Sequence, residues 1–116
     1  MRRGEVWLIN LDPTIGAEIR KTRPAVIVND DAVGILPLKV IVPITDWKER
    51  YEIAPWMVRL EADDHNGLSK LSAADAFQVR SLSQERFVRR LGHLTFEQIE
   101  AVTQALAIVL HIGLVG

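Results

Sequence analysis

The sequence predicts a mainly β domain with one helix at its C-terminal end, a small and strongly bent sheet or barrel. Three observations carry this. Short apolar runs rich in β-branched residues recur along the chain. Asp, Asn, Pro and Gly punctuate them as turn signals. Apolar residues at helical spacing follow Thr95. The 116 residues are one domain's worth and are read as a single domain over 1–116.

Taken in order, Glu5–Leu11 is an apolar β-rich run closed by Asp12-Pro13. Residues Thr14 to Thr22 are polar and irregular around Gly16, a long loop of the kind that tends to be functional or disordered. Pro24–Asn29 is the second strand, ended by Asp30-Asp31. Leu38–Ile44 is the third, and Pro43 within it suggests an edge or a bulge. Trp56–Leu60 is the fourth, and Asn66-Gly67 marks a turn. Ser72–Leu82 reads as one longer strand, with Ala74, Ala76 and Gln78 on one face against Asp75, Phe77 and Val79. Phe87–Leu94 is the last strand. Thr95 with Gln98 three residues on has the capping-box signature of a helix start. Ile99, Val102, Leu106, Val109 and Leu110 then give a helix of about four turns.

Composition excludes several classes. Hydrophobic residues make up 48%, enough to fold without a partner. The longest apolar run, Ala105 to Leu114, is broken by His111 and falls short of the roughly 18 residues of a membrane span. Met1-Arg2-Arg3 leads at once into Gly4-Glu5, so no signal peptide is expected. There is no cysteine, which excludes disulfide and thiolate chemistry and fits a reducing cytoplasm. Fourteen basic against 15 acidic residues leave a net charge of −1. Two basic clusters, Arg20/Lys21/Arg23 and Arg86/Arg89/Arg90, stand out locally, as cationic sites or as solvated faces.

Few residues offer chemistry. The seven glycines are scattered, with no phosphate-cradling loop. The three histidines, His65, His93 and His111, are far apart, and no metal or cofactor is expected. His111 is read as structural on the apolar helix, and Asp63-Asp64-His65 as turn residues rather than metal ligands. No Gly-x-Ser-x-Gly elbow supports a serine triad. Arg23 remains: the residue before a proline is driven into extended backbone, so its guanidinium projects from the mouth of a strand. Its fixed fork of donors matches phosphate oxygens. Thr45 ends the next strand, and sequential strands are usually neighbours, so charge and hydroxyl can meet on one anion. Residue chemistry alone favours the plainer pattern, with Arg23 paired to Asp12 or Glu18 and Thr45 capping a turn.

Gly4-Glu5-Val6-Trp7, Leu11-Asp12-Pro13-Thr14-x-Gly16-x-Glu18 and Lys21-Thr22-Arg23-Pro24-Ala25-Val26-Ile27-Val28 resemble the N-terminal motifs of the MazF/PemK/Kid toxins. So do Val42-Pro43-Ile44-Thr45, Asn66-Gly67-Leu68 and Asp75-x-Phe77-Gln78-Val79-Arg80-Ser81-Leu82. The resemblance runs from Arg3 to about Gly113, in order and at family spacing.

The resemblance implies a PemK-like (SH3-like) β-barrel with a C-terminal helix, working as a homodimer. It implies a toxin that cuts single-stranded RNA at short sequences without a metal and is held by a MazE-like antitoxin. Catalysis would fall on Arg23 and Thr45. Arg23, protonated at neutral pH, would first hold the phosphorane charge and only second move a proton. Glu18 is the acidic loop residue that would accept a proton, or equally would order the loop. Gln78 and Arg80 are read as RNA contacts, Arg80 equally as an ion-pair partner. Arg20 and Lys21 would be shared between RNA and an acidic antitoxin tail. Trp47, with Tyr51 and Trp56 nearby, offers a face for base stacking or for a protein partner.

The chain departs from the family at Gly16-Ala17-Glu18-Ile19, where the usual run is Gly-Ser-Glu-Gln. Ala17 lacks a hydroxyl and Ile19 an amide, which bears on the cleavage sequence more than on activity. Two alternatives stand beside the nuclease. One is a CcdB-like toxin that binds gyrase on the same fold without needing the Arg23–Thr45 pair. The other is an inactive relative that binds only its antitoxin.

Overall fold

A computed structural model describes residues 1–34 and 36–113. Leu114, the end of the apolar run noted above, lies outside the described residues. β1 (Glu5–Asn10), β2 (Thr22–Ile27) and β3 (Leu38–Asp46) run antiparallel in sequence order. β4 (Met57–Leu60) pairs β5 (Ser72–Asp75), which lies along the second half of β3. β6 (Arg80–Ser83) lies along its first half, and β7 (Phe87–His93) flanks β1. The result is a seven-stranded sheet of order β4-β5-β3-β2-β1-β7, with β6 beside β3. The sheet is strongly bent but not closed, so the barrel expected from the sequence is an open one.

Period-two alternation divides the apolar residues between two faces. Register sets Val6 opposite Val26 and Val26 opposite Val42, a row of buried valines across three strands. That row, with Ile44, Leu60 and Ala74, packs under Val102 of α1 (Phe96–Leu110). The opposite face gathers Ile9, Ala25, Ile27, Ile41 and Leu82. Trp7 and Phe87 cover it edge to face, with centroids 5.7 Å apart. Each fully buried Val or Ile contributes roughly 1.5–3 kcal/mol.

α1 begins as the sequence predicts. The Thr95 hydroxyl accepts from the Gln98 N–H at 3.1 Å, and the Gln98 side chain accepts from the Thr95 N–H at 2.8 Å. His111, read from the sequence as structural on this helix, forms its C-terminal end. His111 is exposed and adopts φ 57 as the left-handed C-cap, while the Ile112 N–H reaches back to the Ala107 carbonyl at 2.9 Å.

Three further differences have physical causes. The expected strand Ser72–Leu82 is broken by a 3₁₀ turn over Ala76–Gln78. The Asp75 carboxylate caps that turn by accepting from the Phe77 N–H at 3.1 Å, which diverts the chain out of the ladder. Pro43 is fully buried in the middle of the sheet rather than on an edge. It sits between the β6-paired residues Leu38–Ile41 and the β5-paired residues Ile44–Asp46, where β3 has no ladder partner on that side. A short 3₁₀ helix at Glu49–Ile53, absent from the sequence reading, follows β3.

Candidate active site

β2 and β3 pair from Ile27↔Ile41 to Ala25↔Pro43 and then part. Neither Pro24 nor Pro43 has an amide to donate, so the ladder has little to continue with at this point. The fork between the strands is a cleft of about 170 Å³. Thr22, Arg23 and Pro24 form one wall, Ile44, Thr45 and Asp46 the other, and Ser69 and Lys70 part of the floor. The cleft thus brings Arg23 and Thr45 together. Arg23 is part-buried, and its Nε makes one long bond of 3.4 Å to the Arg20 carbonyl. Among the described residues no carboxylate pairs with it. Asp12 is engaged instead with the Lys21 N–H at 3.1 Å and the Thr14 hydroxyl at 3.2 Å. The guanidinium fork is left available for an anion.

Two further residues of the cleft carry no signal in the sequence. Lys70 Nζ lies 3.2 Å from Asp46 Oδ1, so the cleft holds a second cation and its own carboxylate. Neither belongs to an obvious motif; only the pairing of β3 with β5 and the preceding turn brings Lys70 back to the end of β3.

Glu18, Gln78 and Arg80 are placed elsewhere. They line a second cavity, of about 420 Å³, between the β1–β2 loop and the turn after β5, together with Ala17, Ile19 and Phe77. Glu18 Oε1 accepts from the Ile15 N–H at 2.6 Å, closing the loop on itself. Gln78 ties that loop to the sheet. Its Oε1 accepts from the Ile19 N–H at 2.6 Å, and its Nε2 donates to the Ala17 carbonyl at 3.4 Å and to Asp75 Oδ2 at 3.2 Å. Burial pushes the Asp75 carboxyl above the usual carboxylate range, against the opposing bonds from the Phe77 and Gln78 N–H groups. Arg80 donates to the Leu11 carbonyl at 3.4 Å.

The remaining basic and aromatic candidates flank the cleft. Lys21 holds φ 70, and its carbonyl accepts from the Leu11 N–H at 2.9 Å, so it pins the end of the loop. Arg20 is exposed beside it. Trp47 follows Asp46, with its ring edge-on to Tyr51 at 5.9 Å and under the Arg59 guanidinium at 5.7 Å.

The Asp63-Asp64-His65 segment is a turn. Asp63 Oδ1 accepts from the N–H groups of His65 and Asn66, both at 2.8 Å, and the bond from Asn66 leads in holding its carboxyl below the usual range. Asn66 is fully buried, accepts from Leu68 N–H at 3.0 Å and donates to the Glu61 carbonyl at 2.8 Å. Among the described residues, no group of three or more His, Asp or Glu side chains converges on a point that suits a metal ion.

Residues 2–110 match the family model described as the PemK-like, MazF-like toxin of type II toxin–antitoxin systems. The chain is 33% identical over 120 residues to Endoribonuclease MazF9 of Mycobacterium tuberculosis (strain ATCC 25618 / H37Rv), with 98% of each chain covered. The crystal structure of MazF from Deinococcus radiodurans (Form-I) superposes with a TM-score of 0.79 at 25% identity, covering 97% of both chains. A mycobacterial endoribonuclease in complex with its cognate antitoxin superposes at 0.76 and 20% identity, over 97% of this chain and 96% of that one. With the motifs, the bent seven-stranded sheet and a match over nearly all of its length, the chain belongs to the PemK-like, MazF-like toxins of type II toxin–antitoxin systems.

Proposed function

We propose that the protein is the endoribonuclease toxin of such a pair, cutting single-stranded RNA without a metal at the fork between β2 and β3. The observation that carries this reading is the single cleft shared by the Thr45 hydroxyl and the Arg23 guanidinium, which among the described residues pairs with no carboxylate. A transferring phosphate in the cleft develops negative charge on its non-bridging oxygens. A preorganised guanidinium and hydroxyl stabilise that charge more than they stabilise the ground state.

The 2′-hydroxyl of the upstream nucleotide attacks phosphorus, the 5′-oxygen leaves, and a cyclic phosphate remains. Asp46, the carboxylate inside the cleft, takes the 2′-proton; the Lys70 ammonium beside it is the proton source for the leaving oxygen. Glu18, bonded to Ile15 in the neighbouring cavity, serves loop order in this reading.

The protein is proposed to act as a homodimer in the cytoplasm and to be inhibited by a MazE-like antitoxin whose acidic tail competes with RNA for Arg20, Lys21 and Arg23. Among the described residues no helix is long and apolar enough to cross a membrane. The gyrase-binding alternative leaves the shared cleft without a purpose and is not favoured.

The test is incubation of the purified protein with a long RNA, with and without EDTA. Cleavage that persists in EDTA, is blocked by one 2′-deoxy substitution at the scissile nucleotide and leaves a cyclic phosphate supports the reading. Strict magnesium dependence or cutting of the deoxy substrate overturns it.

A further inference from the structure

The face beside the cleft carries a chain of exposed or part-exposed rings that the hydrophobic core does not use. It starts at Trp47, which leaves the end of β3 directly after the cleft residue Asp46. The Arg59 guanidinium lies 5.7 Å over the Trp47 ring, and Tyr51 stands edge-on to it at 5.9 Å. Arg50 in turn lies 5.4 Å over Tyr51. Tyr51 and Trp56 both line an open cavity of about 280 Å³. Trp56, 38% exposed, meets Phe77 at 6.2 Å, and Phe77, 68% exposed, opens onto the 420 Å³ cavity under the β1–β2 loop. The 3₁₀ turn capped by Asp75 is what turns Phe77 out of the sheet.

The rings therefore run from the cleft to the loop cavity, with two guanidinium planes interleaved and a gap between Tyr51 and Trp56. Aromatic faces and arginine planes in sequence are a chemistry for stacking unpaired bases, because every base has a π-face whatever its identity. Charge supports stacking rather than backbone tracking as the main contribution. Glu49 and Glu52 stand in the same 3₁₀ helix as Arg50, and Glu61 lies 3.8 Å from Arg59, so the band has little net positive charge. An acidic protein tail finds no net attraction here, whereas a base plane needs none.

We infer that the band from Trp47 to Phe77 is a stacking track for the nucleobases of single-stranded RNA that flank the scissile phosphate, with the Tyr51–Trp56 gap taking one base. The inference rests on the nuclease reading of the neighbouring cleft for its orientation, but its test does not require cleavage.

The experiment uses the full chain and a labelled, fully 2′-O-methylated mixed-sequence oligonucleotide, which has no 2′-hydroxyl to react. Binding is followed by fluorescence anisotropy. Trp56→Ala should raise the dissociation constant about five- to 150-fold, and Trp56→Phe should restore most of the affinity. Abasic substitutions in the flank should weaken binding to the wild-type protein and have a much smaller effect on Trp56→Ala. The slope of log affinity against log salt should be the same for wild type and Trp56→Ala, because the lost contacts are not to phosphates.

Equal affinity of the wild-type protein for intact and abasic flanks would overturn the track, and this arm needs no altered protein. So would a Trp56→Ala variant that keeps RNA affinity but loses that for an antitoxin peptide, which would mark a protein-docking face. A wild-type protein that shows the abasic effect yet cuts no natural RNA would keep the track and remove the nuclease reading.

Discussion

Arg23 stands opposite Thr45 across a gap that the β ladder leaves open. The β2–β3 register ends at Ala25↔Pro43, and continuing it by two residues sets the two side chains face to face in one cleft. Strand register, which packing of the valine row enforces, thereby fixes the separation of charge and hydroxyl without either residue having to be buried.

Arg23→Ala should abolish RNA cleavage and move the melting temperature by no more than a few degrees, since the wild-type side chain makes one long bond to a carbonyl. Arg23→Lys keeps the charge but loses the planar fork and should also be badly impaired. Thr45→Ala should lose on the order of 10²-fold in turnover, as for one oxyanion donor. Single-turnover cleavage and a thermal melt on each variant check this; an active Arg23→Ala would end the assignment.

Asp46→Asn separates two roles of the cleft's carboxylate. Removing its charge frees Lys70 from a 3.2 Å pair and should tighten RNA binding a few-fold. It should also slow cleavage by about 10²–10⁴-fold if Asp46 takes the 2′-proton. Tighter binding with unchanged turnover would leave Asp46 as a screen on Lys70 and reassign the proton.

Gln78→Ala removes three bonds at once, including those to Ala17 and Ile19. The β1–β2 loop should then be cut faster in limited proteolysis, and stability should fall by about 1–3 kcal/mol for the amide left unpartnered. KM for RNA should rise more than kcat falls, because Gln78 holds the loop and lies outside the Arg23–Thr45 cleft.

The Asp75 carboxyl gives a pH signature. Burial raises its folded pKa above the 3.8 of the free group, so the native state binds this proton more tightly than the unfolded chain does. Its contribution to stability is therefore present in full below pH 3.8 and is lost as pH rises through the folded value. Urea midpoints measured across that window for the wild type and for Asp75→Asn should show this falling contribution in the wild type alone. Parallel curves would mean that Asp75 titrates as a free carboxyl.

Gly67→Ala and Gly92→Ala should each cost more than about 4 kcal/mol or prevent folding. A Cβ on Gly67, which has φ +67, would lie 2.1 Å from the Leu91 carbonyl oxygen. One on Gly92 would lie 2.0 Å from the His65 carbonyl oxygen. Both clashes are with backbone that the Asn66 turn and β7 hold in place, so neither can relax by a rotamer change. Expression and circular dichroism of the two variants check this.

Much of the fold was legible in the residues themselves. The β-branched apolar runs Glu5–Leu11 and Leu38–Ile44 and the Thr95/Gln98 box are local patterns with local causes, so strands β1 and β3 and the start of α1 follow from sequence. Arg23 before Pro24 likewise declares an extended residue at a strand mouth. The family motifs supplied the rest of the resemblance. What the sequence left undetermined depends on contacts between distant segments. That β2 and β3 part at a buried proline, that Lys70 returns to Asp46, and that Gln78 spends its carboxamide on Ala17 and Ile19 all follow from register and chain path. Glu18 and Arg23 sit close in sequence, yet the fold sends them to different cavities, because hydrogen bonds within the loop and to Gln78 decide where its side chains point. The sequence determined which cationic and hydroxyl groups this protein carries; only the tertiary structure decided which of them share a cleft, because side chains meet through strand pairing and not through proximity along the chain.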